Sequence, residues 1–535
     1  MSESWPTSRG VRLGSGVDLH LDLGRGDAGG AGDAEGGGEA AGGLRAALER
    51  ALRDAVRAGR LAPGTRLPST RKFAAETGLS RGTVKAAYDQ LTAEGYLTAR
   101  QGSGTVVAAR PAPAAAPSGG APAARPPRHD LRPGSPDVTS FPTAAWLRAT
   151  RRALAGAPSA AYDYGDPRGR SELREALAEY LGRTRGVLAD PGRIVITSGY
   201  VQSLALLVRA LGGGRAPVFA MEDPGLPFHR EVVRRNGGRV VPLPTDEDGA
   251  RTDVTAVLGG VDAAVLTPAH QYPTGVTLHP ARRQEFTAWA RSGGGVLVED
   301  DYDGEFRYDR QPVGALQGMA PDHVVYLGTA SKTLGPALRL GWMVLPARLV
   351  DPVAEVKLYS DHHTGAIGQL ALADLISSHG YDRHVRAARL RYRRRRDLLV
   401  ERLVGPAGSR ADGTAAAGVG WPAASGAGCL AVEGIAAGLH ALVTLPAGGP
   451  DEREVLRRAA ALGLAVGELG SHWHAADEGA DGTGDKGGTG GRSDAGAGRP
   501  QGLIVGYGKP GEGGYPAALD ALVRVLRGPV RRAGG

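Results

Sequence analysis

The chain has 535 residues, a formal net charge of +8, 84 glycines and a single cysteine, Cys429. A lone cysteine excludes an internal disulfide framework, and the lack of any apolar run of about 18 residues excludes a membrane-spanning helix. Because the N-terminus also lacks the apolar core of a secretory signal, we expect a cytoplasmic protein of roughly two to four domains with no membrane partner.

Glycine-, alanine- and proline-rich stretches divide the chain into blocks. Segments of this composition offer no apolar face to bury, so we expect them to lack regular structure. The predicted layout is an N-terminal extension at 1–43, a domain at 44–110, a Pro/Ala-rich linker at 111–130, and a domain at 131–535 that contains a disordered insertion at 475–498.

The first domain carries the pattern of three helices followed by a hairpin. Apolar residues from Leu44 to Leu61 recur at helical spacing. Ser69 is placed to cap a short helix that ends just before Gly78, and Ser80 is placed to cap a second one. Two short helices joined by a glycine turn are typical of a helix-turn-helix, and the following "YLTARQGSGTVVA" predicts a β-hairpin wing.

The charge of this domain indicates a nucleic-acid partner. Between Leu44 and Arg110 there are twelve basic residues against five acidic ones, which is nearly the whole excess of the chain. Positive charge concentrated around a recognition helix predicts binding to duplex DNA. The outward polar residues at the helix starts are Arg66, Ser69, Arg71, Ser80, Arg81, Thr83 and Lys85. The alternative is a helical bundle with a solvated basic face.

The stretch "GRLAPGTRLPSTRKFAAETGLSRGTVKAAYDQLTAEGYLTARQGSGTVV" resembles the winged-helix domain of GntR-type regulators nearly from end to end. The resemblance implies contacts with an operator DNA from the helix starts and from the tip of the wing. In this sequence those positions are Arg66, Ser69, Arg71, Ser80, Arg81, Thr83 and the wing from Gly102 to Thr105.

The second domain alternates between β-like and helix-like segments. Apolar β-like runs occur in "RIVITSG", "APVFAMEDPG", "RVVPLP", "DAAVLTPAH", "GGVLVEDDY" and "HVVYLGTAS", with helix-like segments such as "SELREALAEYLGR" and "YVQSLALLVRAL" between them. This alternation predicts a doubly wound α/β domain with a mostly parallel sheet and helices on both faces. Ligands of such sheets bind beyond the carboxyl ends of the strands, where the polar motifs of this domain lie.

Lys332 stands out because the chain has only six lysines and uses arginine for most of its positive charge. Arginine stays protonated and cannot form an imine with an aldehyde, whereas a deprotonated lysine can. Lys332 follows a β-like run amid small hydroxyl residues, which suits an aldehyde cofactor that bears a phosphate. Thr329, Ser331 and Arg339 are placed to hold that phosphate. The alternative is a surface lysine with no chemical role.

Other motifs supply the remaining groups that such a cofactor needs. Asp300 in "VLVEDDYDGEF" follows an apolar strand, where a buried carboxylate keeps a pyridine nitrogen protonated. Tyr302 projects to the same side and is placed to donate to the phenolic oxygen beside the imine. In "VITSGYVQSLALL" a helix begins near Gly199 and Tyr200, and its first N–H groups suit a phosphate. Each feature alone has a structural explanation, but their joint order indicates pyridoxal phosphate.

The segments "YDYGDPRGRSELREALAEYL", "ITSGYVQSL", "VEDDYDGEFRY" and "TASKTLGPALRLGW" resemble a fold-type I aminotransferase. The resemblance implies that Lys332 forms the internal aldimine, that Asp300 pairs with the pyridine nitrogen and that Tyr302 bonds the ring oxygen. It implies a phosphate site at Gly199, Tyr200, Ser331 and Arg339. It also implies a homodimer in which Tyr164 reaches the phosphate of a neighbouring subunit. The order of winged helix, linker and aminotransferase-like domain resembles MocR/GabR-like regulators.

Three positions depart from the aminotransferase pattern. Tyr272 and Pro273 stand where these enzymes place an asparagine before "PTG", and Leu226 stands where many relatives carry tyrosine. The strand "QGLIVGYG" has Gly502 about where the arginine that binds a substrate carboxylate would fall, and Arg499 lies beside the insertion. No residue is therefore assigned to a carboxylate, which argues against an α-amino-acid ligand.

Two histidine motifs and one arginine run have plainer explanations. "DHH" at 361–363 and "HWH" at 472–474 lack the acidic or cysteine partners of a metal site, so we expect no metal. "RLRYRRRRD" at 389–397 predicts a helix with a solvated charged face, and the alternative is a supplementary DNA contact.

These observations predict a dimeric regulator that binds operator DNA and pyridoxal phosphate and senses an amine or amino acid through an external aldimine. One alternative is an active aminotransferase that carries a DNA-binding domain. Another is a scaffold that binds DNA but neither cofactor nor amine.

Overall fold

The computed structural model describes residues 9–12, 18–21, 37–100, 104–109, 126–253, 258–293, 295–308, 313–404, 431–446, 448–475 and 499–527. The chain divides into two compact units, Met1–Ala124 and Arg125–Gly535. Gly102, most of the expected linker and nearly all of the expected insertion lie outside the described residues. A search of the described helices finds none that is long and apolar enough to span a membrane.

The first unit begins with elements that the sequence patterns did not predict. Strands β1 (Arg9–Arg12) and β2 (Asp18–Leu21) pair antiparallel. Helix α1 (Gly37–Arg57) starts inside the N-terminal extension, within the Gly/Ala-rich stretch 24–43 that we expected to lack regular structure. Its first seven residues, GGEAAGG, include four glycines, which are poor helix formers, so this extension depends on the helix that the following residues nucleate.

The helix-turn-helix and its wing are confirmed. Helix α2 (Thr70–Thr77) is capped by Ser69, helix α3 (Arg81–Ala93) is capped by Ser80, and Gly78 between them adopts a left-handed φ of 71°. The apolar face of α3 is buried, with Val84, Ala87, Tyr88 and Leu91 in the core of the unit. Strands β3 (Leu97–Arg100) and β4 (Gly104–Val107) form the wing, and the backbone of Leu67 donates to Thr105 to extend it.

The second unit is built on an eight-stranded sheet that confirms the doubly wound prediction. Its strands are β6 (Ile194–Thr197), β7 (Val218–Asp223), β8 (Arg239–Asp246), β9 (Gly249–Ala250), β10 (Ala263–Leu266), β11 (Val296–Asp300), β12 (Val324–Thr329) and β13 (Gly341–Val344). The order is β6-β13-β12-β11-β10-β7-β8-β9, and all six predicted β-like runs are strands. Strand β13 runs antiparallel between β6 and β12 and was not predicted.

Helices cover the sheet, and a smaller sheet completes the unit. The helices are α4 (Thr143–Gly156), α5 (Ser171–Arg185), α6 (Tyr200–Gly212), α7 (Pro227–Arg235), α8 (Pro280–Arg291), α9 (Ala347–Asp361), α10 (Ala366–Ser377), α11 (Gly380–Val404), α12 (Glu452–Ala461) and α13 (Tyr515–Arg527). The smaller sheet has the order β14-β15-β17-β16-β5, with β5 (His129–Leu131), β14 (Ala431–Glu433), β15 (His440–Thr444), β16 (Leu464–Glu468) and β17 (Gly502–Gly506).

The arginine run on α11 is only partly a solvated face, which corrects the prediction. Arg393 and Arg394 are exposed, but Arg395 and Arg396 are buried. The guanidinium of Arg395 donates to Asp137 Oδ2 at 2.8 Å and to backbone carbonyls near the end of β17. Two of the six arginines in this run are therefore part of the packed interior, where a buried guanidinium needs a carboxylate and several acceptors.

The ends of the expected insertion lie close together. Arg499 donates to the carbonyl of His474 at 2.8 Å, and its guanidinium lies 5.3 Å from the Trp473 ring centroid. Replacing 476–498 with a short glycine linker is expected to change the free energy of unfolding by less than about 1 kcal/mol, because the deleted composition offers no apolar face. Urea denaturation of the full chain measures this. A larger loss would show that the segment contributes to the core.

Candidate functional site

The carboxyl ends of the central strands surround a cavity of about 370 Å³. Strands β6, β7, β10, β11 and β12 run parallel, so their ends meet at one edge of the sheet. The cavity is lined by most of the residues that the sequence assigned to the cofactor: Tyr200, Asp300, Tyr302, Ser331, Lys332 and Arg339. Residues on separate strand ends are thereby brought together as predicted.

Lys332 follows the end of β12 and projects into this cavity. Burial lowers the pKa of its amine, while the carboxylates of Asp303 and Asp300 oppose that shift. The Nζ atom donates to the carbonyl of Gly134 at 2.5 Å and lies 6.0 Å from the Tyr302 ring centroid. A half-buried lysine whose pKa is lowered gives up its proton more readily than a solvated one, and the neutral amine is the nucleophilic form.

Asp300 and Tyr302 lie at the end of β11, beside Lys332. Burial raises the pKa of the Asp300 carboxyl well above its usual value, and Lys332 partly offsets this. A bound cation such as a protonated pyridine restores the ionised form by supplying opposite charge. The hydroxyl of Tyr302 donates to the carbonyl of His270 at 3.1 Å, and burial raises the pKa of this phenol.

Glycine at position 199 creates a cradle for an anion at the start of α6. Gly199 has a left-handed φ of 113°, and a Cβ atom there would lie 3.5 Å from an Nη atom of Arg339. Gly199 gives α6 no side-chain cap, so the first N–H groups of the helix face an anion site. The hydroxyl oxygens of Thr329 and Ser331 lie 2.9 Å apart on the neighbouring strand end.

Several cavity residues were not identified from the sequence. Glu222, near the end of β7, lines the cavity, and burial raises the pKa of its carboxyl to about 7. His229 packs its ring 4.3 Å from that of Tyr200, and burial followed by the charge of Lys332 lowers its pKa to about 3. His440 lines the cavity from the smaller sheet. In the sequence, His440 could have been recognised only as the one polar side chain in the apolar segment "GLHALV".

A buried pair of side chains supports Tyr302. His270 Nδ1 lies 2.9 Å from Asp303 Oδ2 and 3.1 Å from the Tyr302 hydroxyl. With His440 these two residues form a buried group whose ligand atoms lie within 4.8 Å of one another. Since His270 and Asp303 are already hydrogen-bonded to each other, we assign the group to positioning Tyr302. Our prediction of no metal was made for the histidine motifs at 361–363 and 472–474, which are not part of this group. It stays a prediction.

The remaining sequence assignments fall outside this cavity. Tyr164 is 81% exposed and packs against the His362 ring at 4.9 Å, so it does not line the cavity of its own chain. Gly502 lies at the start of β17 and is not in the cavity lining either. The residue of β17 that packs against the cavity residue Tyr272 is Ile504, in a cluster with Leu442 and Leu469. Strand β17 contains no arginine, at Gly502, at Ile504 or at any other position.

The candidate DNA-contacting residues of the first unit lie at its surface. Arg66, Ser69, Arg71, Ser80, Arg81 and Lys85 are exposed, and Thr83 and Thr105 are half-buried. The guanidinium of Arg66 lies against Gly104 in the wing. Lys85 forms an exposed pair with Asp89 at 2.5 Å, which does not prevent it from contacting a phosphate. Gly102 lies outside the described residues.

The residues of the cavity fit pyridoxal phosphate. Lys332 offers an amine to an aldehyde, Asp300 offers a buried carboxylate to a pyridine nitrogen, and Arg339 with the start of α6 offers a cradle to a phosphate. When bound, the cofactor supplies an aldehyde carbon that takes up amines. The cradle at Gly199 and Arg339 would hold the phosphate end of the cofactor, and Lys332 would offer its amine to the aldehyde.

Family comparisons assign both units. Residues 44–107 match the bacterial regulatory proteins of the gntR family, and residues 131–416 match aminotransferase class I and II. The second family is pyridoxal-phosphate-dependent, which confirms the cofactor expected from the sequence.

Individual relatives match about two thirds of the chain or more. The pyridoxine biosynthesis regulator PdxR of Corynebacterium glutamicum is 33% identical over 66% of this chain and 78% of its own. The probable rhizopine catabolism regulator MocR of Rhizobium meliloti is 34% identical over 65% of this chain and 75% of its own. The crystal structure of Pyrococcus horikoshii kynurenine aminotransferase covers 74% of this chain and 90% of its own with a TM-score of 0.60 at 23% identity, which shows the shared fold.

Proposed function

Because the chain belongs to the GntR-type transcriptional regulators that carry a class I and II aminotransferase domain, we propose that it senses an amine through its cofactor and changes its binding to operator DNA accordingly. A protein that acts on DNA in this way works in the cytoplasm. The observation that carries the proposal is the position of Lys332, whose amine has a lowered pKa and which lines one cavity together with Asp300, Tyr302 and Arg339.

In this proposal each residue of the cavity has one task. The effector's amine takes the place of Lys332 on the cofactor, which frees Lys332 to move within the cavity. Asp300 holds the pyridine proton, and Arg339 keeps the phosphate in place throughout. The effector shifts the protein between two states only by as much as it binds one of them more tightly.

We also propose a homodimer. The exposed Tyr164 beside His362 is available to the phosphate site of a second copy, as the aminotransferase resemblance implies. Sedimentation of wild type and of Tyr164→Phe checks this. A monomeric wild-type protein contradicts the proposal, whereas a dimeric Tyr164→Phe variant that retains less cofactor supports it.

The second candidate function is an active aminotransferase with a DNA-binding domain. The intact set of cofactor-binding side chains favours it, but β17 offers no arginine to a substrate carboxylate. The experiment is a titration of the purified protein with a panel of amines, amino acids and keto acids, following cofactor absorbance, DNA binding and keto-acid release. Sustained keto-acid release supports the enzyme. Absorbance and DNA responses without turnover support the sensor, and a protein that takes up no cofactor contradicts both.

Arg81 gives a direct test of the DNA interface. Arg81→Ala is expected to weaken operator binding by about 1–3 kcal/mol if its guanidinium bonds a base edge, since Arg81 is exposed at the first turn of α3. The Arg66→Ala/Arg81→Ala variant should lose more, and wild-type affinity should fall steeply with salt. Arg50→Ala, exposed on α1, is the matched control. Unchanged operator affinity in the double variant would contradict the assignment.

A further inference from the structure

The turn that carries the phosphate cradle is closed by a glutamine of the helix that follows it. Strand β6 pairs with β13 only as far as Thr197, so the N–H group of Ser198 lies beyond the ladder. Gln202, in the first turn of α6, supplies an acceptor: its Oε1 atom accepts from the Ser198 N–H at 2.7 Å and from the Ser198 hydroxyl at 3.1 Å. This contact resembles one half of a capping box, displaced by one residue.

A turn closed in this way leaves two N–H groups to an anion. The N–H of Gly199 donates to the Thr197 hydroxyl at 3.3 Å, and the N–H of Gln202 donates to the carbonyl of Gly199 at 3.0 Å. The N–H groups of Tyr200 and Val201 bond no described acceptor, and both residues line the cavity. The direction of these two donors therefore depends on the turn that Gln202 closes.

The side-chain amide of Gln202 can adopt only one orientation in these surroundings. Its Oε1 atom faces the backbone donor of Ser198, and its Nε2 atom donates to Asp361 Oδ2 at 2.7 Å. An N–H group only donates and an ionised carboxylate only accepts, so a flipped amide would be mismatched at both ends. Asp361 thereby determines which end of the Gln202 amide reaches the turn.

Asp361 is held in place by a lysine that lies inside the protein. The Lys357 side chain is fully buried, and its Nζ atom donates to the two carboxylate oxygens of Asp361 at 2.7 and 3.0 Å. Helix α9 ends here, because His362 adopts a left-handed φ of 64°. Thr364 then donates to the carbonyl of Ile196 in β6 at 3.2 Å. The carboxylate of Asp361 is thus fixed from both sides, and the ammonium of Lys357 offsets its charge.

We infer that Gln202, Asp361 and Lys357 are positioning residues, which set the strength of the phosphate cradle through a hydrogen-bonded relay that ends at Ser198. None of the three is among the described residues that line the cavity, so they act on the cofactor only through the turn. The relay also gives a role to the aspartate of the "DHH" motif at 361–363. The inference concerns the cofactor site and does not depend on which effector the protein senses.

Pyridoxal phosphate and pyridoxal, which lacks the phosphate, separate a weaker cradle from a damaged fold. Both aldehydes are titrated into the full chain after its cofactor has been removed, and the absorbance of the bound aldehyde gives an apparent Kd for each. We expect Gln202→Ala to weaken binding of pyridoxal phosphate about tenfold, the size of one hydrogen bond, and to leave the Kd of pyridoxal as it is. Equal weakening of the two aldehydes, or no change in either, would overturn the inference.

A conservative variant and a neighbouring control complete this comparison. Gln202→Glu retains an acceptor for Ser198 but cannot donate to Asp361, so it should weaken pyridoxal phosphate at least as much as Gln202→Ala. Wild-type affinity in Gln202→Glu would contradict the relay. Ser360→Ala is the control, because Ser360 lies at the same end of α9 but donates to the Val356 carbonyl at 2.6 Å. A loss in Ser360→Ala as large as that in Gln202→Ala would also contradict the relay.

Replacing the ion pair tests whether Asp361 acts through Gln202. The variant Lys357→Met/Asp361→Ala removes both charges together, so no buried charge is left without a partner. It should weaken binding of pyridoxal phosphate about three- to tenfold, within the range of one hydrogen bond. Adding Gln202→Ala should cause no further loss, because residues that act in series are not additive. Unchanged affinity in the pair variant, or losses that multiply in the triple variant, would show that the three residues form no relay.

Discussion

Replacing Lys332 with alanine is expected to abolish the absorbance of lysine-bound cofactor and the response of DNA binding to amines. Lys332 lines the cavity, and no other described lysine does. Basal DNA binding should remain, because the candidate DNA-contacting residues belong to the first unit. Borohydride reduction of the wild-type protein should fix the cofactor on the peptide that contains Lys332, which mass spectrometry identifies.

The variant Lys332→Arg distinguishes a lysine that reacts with the cofactor's aldehyde from a lysine that only supplies a positive charge. Arginine keeps a positive charge near Asp300 and Asp303 but cannot react with an aldehyde. If both the absorbance band and the amine response survive in Lys332→Arg, the lysine serves only as a cation, and the proposed sensing chemistry is wrong. Asp300→Ala is the companion variant, and it should retain less cofactor because the pyridine proton loses its counter-charge.

Replacing Asp301 with alanine is expected to lower the free energy of unfolding of the second unit by about 3–5 kcal/mol. The side chains of Asp301 and Arg185 are each only 2% exposed and bond at 2.6 and 2.9 Å. Tyr326 also donates to Asp301 at 2.7 Å. Removing the carboxylate leaves a buried guanidinium without its counter-charge, and it does so next to Asp300, so cofactor retention should fall as well.

The matched control is the exposed pair of Arg251 and Asp253. Their side chains are 43% and 64% exposed, so solvent screens the pair and Asp253→Ala should leave the free energy of unfolding nearly unchanged. Urea unfolding of both variants, followed by circular dichroism, measures the difference. Similar losses in the two variants would show that burial of the Arg185–Asp301 pair does not set its contribution.

Much of the cofactor site could be predicted because its residues follow consecutive apolar strands. Asp300 and Lys332 each come directly after a run that can only be a buried strand, and parallel strands end at one edge. The capping serines 69 and 80 were predictable for a similar reason, since capping is a local interaction between a side chain and nearby N–H groups.

The residues that escaped prediction are positioned by contacts between distant parts of the chain. The carbonyl of Gly134 accepts a hydrogen bond from Lys332, which lies 198 residues further along the chain. No motif around Gly134 indicates this contact. His440 reaches the cavity from the smaller sheet, whose short strands lack a clear period. Arg395 appeared to be a surface residue because charge runs usually are, and only tertiary packing supplies the buried Asp137 that pairs with it.

The hydrogen bond between Lys332 and Gly134 joins the reactive amine to a particular stretch of main chain. Gly134 follows β5, and β5 follows the segment that leads from the first unit to the second. If Lys332 takes another partner, the carbonyl of Gly134 loses this donor. The carbonyl that reports the state of the reactive amine therefore lies, along the sequence, within ten residues of Arg125, where the second unit begins.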